Sequence, residues 1–84
     1  MRKYKHEIKI GRNDFQKIKN GIQKYLIEPN RNFNINEHVC IFEFDEQNKW
    51  TGESIIARVN CEPTPFAKNP EFVVIDIQLI NDSN

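Results

Sequence analysis

A period-two alternation of apolar residues in the second half of the chain limits its fold more than any other feature. In residues 55–61, Ile55, Ala57, Val59 and Cys61 fall on one side, with Arg58 and Asn60 on the other; in residues 72–80, Val73, Ile75, Ile77 and Leu79 share a side. Successive side chains of an extended strand point to opposite faces, so each segment offers one apolar face to a core. Residues 6–10 show the same pattern more briefly, Ile8 and Ile10 opposing Glu7 and Lys9. Residues 38–45 are different, because Val39 and Ile41 oppose Cys40, Phe42 and Phe44. A strand that is apolar on both faces is expected in the middle of a sheet.

Between the first two extended segments, Phe15, Ile18 and Ile22 recur at near-helical spacing, Asn13 or Asp14 can act as N-cap, and Gly21 supplies a stop. This predicts one short helix over residues 13–21. Tyr25, Leu26 and Ile27 form a second extended segment, ended by the turn chemistry of Pro29, Asn30, Arg31 and Asn32, and the next strand starts only after Phe33 and Ile35. Residues 46–49 make a turn. Pro63, Pro65 and Pro70 mark residues 62–71 as a loop, and 81–84 read as a short disordered tail. Five or six strands and one helix after the first strand, within 84 residues, hide their core and edges most economically by closing or nearly closing. The expected fold is mainly β (α+β), a small β-barrel, with residues 1–84 as a single domain and a core over about 5–80.

Six Phe, two Tyr, one Trp and zero net charge favour a packed interior over disorder. No apolar run approaches the roughly 20 residues of a membrane span. The basic start, Arg2, Lys3 and Lys5, runs into the alternating segment rather than an apolar block, so a secretory signal is not expected and the cytoplasm is. In that compartment Cys40 and Cys61, both in apolar stretches, read as buried reduced thiols. His6, His38, Cys40 and Cys61 lack the close pair spacing of a metal site, and neither metal nor cofactor is expected. The zero net charge hides an asymmetry. Residues 1–24 hold eight Lys/Arg against Glu7 and Asp14, a surplus of six that the rest of the chain balances. Such a split either solvates a helix and a strand edge or makes a basic surface that attracts polyanions.

Several local signatures, taken in order, resemble the ASCH domain (activating signal cointegrator homology) of the PUA-like superfamily, in its short bacterial and phage versions. They are His6 to Ile10 as the opening strand, Phe15 and Gly21 in the helix and its stop, and Asn30, Arg31, Asn32 and Phe33 as an arginine turn. Trp50, Thr51 and Gly52 resemble an aromatic-Thr-Gly turn, and Phe72 to Ile75 the closing strand. The resemblance covers about residues 5–80 and implies a PUA-like β-barrel. Departures accompany it. Where the family carries a lysine, a glutamate and an arginine lining a cleft beside the helix, this chain has Gln23, Leu26 and Glu28; where the family has Val-Gly-Asp, it has Ile35, Asn36 and Glu37; the arginine turn is one residue short.

The resemblance implies two kinds of function, and the composition leaves a third. Some small ASCH proteins are amidohydrolases acting on acetylated cytidine, which implies a lysine, a threonine and a glutamate in the cleft. Gln23 cannot act as the base, and Lys24 with Glu28 or Thr51 is the rearranged set that would have to replace it. PUA-like barrels also bind RNA or nucleotides. For that role Lys9, Arg12, Lys19 and Arg31 are the candidate phosphate contacts, Gln23 a polar cleft contact, and Trp50 or Phe66 a stacking surface. The plainer readings are a Trp50 packed over the barrel rim and a Phe66 plugging the core. The third reading is a protein-interaction or accessory domain. Enzymatic activity is not the favoured expectation; the ligand, pathway and oligomeric state are beyond what these residues specify.

Overall fold

The computed structural model describes residues 4–80; the tail expected at 81–84 lies outside the described residues. Six strands and one helix follow the chain as β1 (His6–Gly11), α1 (Arg12–Lys19), β2 (Tyr25–Pro29), β3 (His38–Phe44), β4 (Trp50–Val59), β5 (Thr64–Phe66) and β6 (Asn69–Leu79). They form one mixed sheet in the order β1-β3-β4-β6-β2, with β5 also beside β6. β1 and β3 are parallel because the chain between them passes through α1 and β2; the other pairings are antiparallel.

The predicted alternation sets the inward face. Ala57, Val59, Val73, Ile75 and Ile77 are buried in a single cluster with Ile8, Val39 and Ile41, and Phe15 and Ile18 of α1 close it. β3 lies between β1 and β4, as its two apolar faces imply. β6 carries the sheet around this core, since its residues 72–76 pair with β2 and its residues 77–79 pair with β4. The fold is thus mostly β with one short helix. The sheet is not closed into a barrel: its path ends at β1 and β2, and among the described residues no ladder joins them. A side chain crosses that seam instead. Arg31 donates through Nη1 to the Glu7 carbonyl of β1 at 2.9 Å and through Nη2 to Glu28 Oε1 of β2 at 3.2 Å.

Several local expectations are corrected. α1 starts at Arg12 with Gly11 as its N-cap and no side-chain cap, so Asp14 sits in the first turn, where its charge favours the helix dipole, rather than at the cap. At the other end Gly21, at φ +77°, leaves the helix in the left-handed region. Gly21 N–H donates to Ile18 O at 3.1 Å and Ile22 N–H to Lys17 O at 2.8 Å, the paired bonds of a Schellman stop. The stop comes before Ile22 can complete the apolar stripe, and Ile22 is 75% exposed. Residues 64–66, expected in a loop, form β5 on the edge of β6, where Pro65 opposite Val73 costs no internal ladder bond. Cys61 is exposed, not buried: β4 ends at Val59, Asn60 N–H turns to Asp76 O at 2.7 Å, and the alternation lapses one step before the cysteine. Cys40 is buried as expected.

Candidate functional site

The open seam makes a cleft. β1 delivers Lys9 to one wall, Gly11 and Asp14 follow from the start of α1, and the chain leaving the helix returns Gln23, Tyr25 and Glu28 to the other wall, enclosing about 400 Å³. Gln23 is held by donating Nε2 to Tyr25 O at 3.0 Å. Glu28 is partly buried here, and that burial raises its carboxyl above the ordinary value despite the opposing charge of Arg31. A second hollow of about 420 Å³ lies across Gln23, between the end of α1 and β6, with Lys24, Asn60, Asp76 and Gln78 over an apolar floor. Asp76 Oδ2 there accepts the Cys61 thiol at 3.5 Å, and this contact raises the cysteine above its usual value.

Glu43, the buried charged side chain of the described core, sits on the inward face of β3. Its carboxylate accepts Thr51 Oγ1 at 2.6 Å and Gln16 Nε2 at 3.0 Å. These bonds hold its pKa below the ordinary value, with smaller help from the positive charges of Arg12 and Lys19. Sequence reasoning missed this residue, although a signal existed: Glu43 shares the parity of Val39 and Ile41 and is the one charged residue on that side of the strand. An inward carboxylate has to be bonded or neutralised, and its partners come from α1 and β4.

The opposite face of β1, β3 and β4 carries aromatics. Phe42 and Phe44 alternate with the buried Ile41 and Glu43, and Trp50 stands opposite Phe44 in the ladder. Trp50 meets Phe42 edge to face, centroids 5.8 Å apart at 80°, and Lys9 Nζ lies 5.1 Å from the Phe44 ring centre. The indole N–H donates to Glu53 O at 3.0 Å, so the ring is fixed while more than half exposed. Between these rings, Lys9 and Glu7 is a groove of about 310 Å³.

The predicted residues thus divide into groups. Lys9 borders both the seam cleft and the aromatic groove, where Trp50 joins it. Gln23 lines the cleft just beyond the end of the helix. Arg31 reaches the seam but spends its guanidinium on Glu7 and Glu28. Arg12 and Lys19 belong to the helix side, where Lys19 pairs with Glu53 at 3.5 Å. Phe66 is half-buried on β5 and lines neither the cleft nor the aromatic groove. The alternative hydrolytic set is dispersed: Lys24 faces the second hollow, Glu28 the seam, and Thr51 donates to Glu43. Among the described residues no group of three or more His, Cys, Asp or Glu is placed to hold a metal, and no helix is long and apolar enough to cross a membrane.

Fold and cleft together define a small mixed β domain with an open, helix-flanked seam. The chain belongs to the family described as a domain of unknown function, DUF3850, which matches residues 5–77. No curated protein matches it.

Proposed function

We propose that this domain is an ASCH-like, PUA-like module of the cytoplasm that binds RNA or a nucleotide in the seam cleft, its sheet a barrel of that type left unzipped between β1 and β2. The observation that carries the reading is Lys9, which lines the cleft and whose ammonium, held over the Phe44 ring, makes no ion pair among the described residues. A cation held over an aromatic ring but unmatched by a carboxylate is available to a phosphate. Gly11 and Asp14 at the start of α1 border the same cleft, and Arg12 between them in sequence brings a second cation to that end of the helix. Gln23 supplies an amide for a base edge. The dispersal of Lys24, Glu28 and Thr51 argues against a hydrolytic role.

The protein-partner alternative has its own support in Ile22, Tyr25 and Ile27, three exposed apolar side chains near the chain that enters β2. Binding of single-stranded RNA, duplex RNA and DNA at two salt concentrations separates the readings. Each phosphate neutralised on a single strand contributes about −0.7 to the slope of log K against log salt, so three to four contacts give about −2 to −3. Lys9→Gln should weaken binding across sequences and flatten that slope by somewhat less than one. No binding at low salt refutes the nucleic-acid reading and leaves the protein partner.

A further inference from the structure

We propose that the aromatic groove on the outer face of β1, β3 and β4 stacks one base of a single-stranded polynucleotide whose neighbouring nucleotide occupies the seam cleft. The ligand is then an oligonucleotide of at least two units rather than a free nucleotide. This rests on the cleft binding a nucleotide, and adds a second subsite and a minimum length.

The argument starts from strand register. Phe42 and Phe44 are two residues apart on β3 and so share its outer face; Phe44 pairs across to Trp50 on β4, and Phe42 pairs across to Lys9 on β1. Three rings and one cation are therefore brought together by two ladders rather than by loops. The groove is polar only at its β1 side, where Lys9 and Glu7 stand. Trp50 has its N–H satisfied within the chain and an edge contact to Phe42, which leaves its π surface to a ligand that need supply no hydrogen bond there. Base stacking on such a surface tolerates any base.

Charge selects this occupant over an apolar protein segment. A purely apolar partner would cover the Lys9 ammonium and the Glu7 carboxylate without compensating either, at a cost. A nucleotide offers a phosphate to Lys9 and ring or amino N–H groups to Glu7, whose carboxylate already accepts the Tyr4 hydroxyl at 3.1 Å. Lys9 borders both hollows, so a phosphate bound to it lies between a base in the cleft and a base in the groove. A free mononucleotide can fill only one of the two.

Trp50 is the only tryptophan, so its emission reports this groove alone. The test titrates a mononucleotide, a dinucleotide and a tetranucleotide of RNA, and the matching single-stranded DNAs, following both Trp50 emission and total binding by calorimetry. The dinucleotide and tetranucleotide should quench Trp50 and bind more tightly than the mononucleotide. Trp50→Leu, with its fold checked by circular dichroism, should weaken the tetranucleotide about 5- to 150-fold with little change in salt slope, whereas Trp50→Phe retains most of the affinity. Equal affinity of RNA and DNA would place recognition on base and phosphate rather than on the 2′-hydroxyl. If the tetranucleotide binds with Trp50 emission and Trp50→Leu affinity unchanged, or no more tightly than the mononucleotide, the groove subsite is refuted while the cleft reading stands. If no oligonucleotide binds, both fall.

Discussion

Replacing Arg31 by alanine tests whether one side chain holds the seam where the ladder fails. Its guanidinium donates to the Glu7 carbonyl at 2.9 Å and to Glu28 Oε1 at 3.2 Å, linking β1 to β2. A hydrogen bond from a charged donor contributes about 1.5–3 kcal/mol when well shielded, but Arg31 is 43% exposed, which lowers that to about 1 kcal/mol. The ion pair with Glu28 adds about 0.2–1 kcal/mol for the same reason. The expected loss is therefore about 1–2 kcal/mol, which for a domain of this length lowers Tm by about 5–15 °C in a circular dichroism melt. A second readout separates this from general damage. With the Arg31 charge gone, burial acts on Glu28 unopposed, so its carboxyl should titrate at still higher pH by NMR. Arg31→Lys should recover little, because an ammonium lacks the fork that spans both acceptors. An unchanged Tm and an unchanged Glu28 titration would refute the idea of a clip. If Tm stays constant while RNA affinity falls, Arg31 acts as the phosphate contact that its sequence context suggested.

Further outcomes follow from side chains elsewhere in the fold. Glu37 is held down to about 2, chiefly by the His6 hydrogen bond at 2.9 Å and then by Asn34; its stabilising contribution is full above its ordinary value of 4.5 and is lost as pH falls toward 2, so Glu37→Gln should flatten urea stability across that window. Glu28 acts in the opposite sense, since a raised carboxyl makes the fold less stable as pH climbs through and above 4.5; a Glu37→Gln profile as steep as the wild type would contradict the first claim. Native-state thiol labelling should modify Cys61 and spare Cys40, and Asp76→Asn should speed the Cys61 reaction by replacing the carboxylate that keeps its thiol protonated with a neutral, weaker acceptor. Equal protection of the two cysteines would contradict the burial described here.

What was legible in the chain was what neighbouring residues decide among themselves. The inward set Ala57, Val59, Val73, Ile75 and Ile77 follows from strand alternation, and the helix stop at Gly21 from a residue that adopts positive φ at little cost. The central place of β3 follows from apolar side chains on both of its faces. Alternation does not show where a strand ends, so it carries Cys61 into the core that β4 leaves at Val59, and prolines conceal the edge strand β5. Partners distant in sequence were out of reach of any local rule. Glu43 with Thr51 and Gln16, Arg31 across the seam, and Lys9 beside Phe44 and Trp50 each depend on which strands become neighbours. Local sterics and burial set the face a side chain takes, whereas register and sheet order, settled only when the whole core packs at once, set what it meets there.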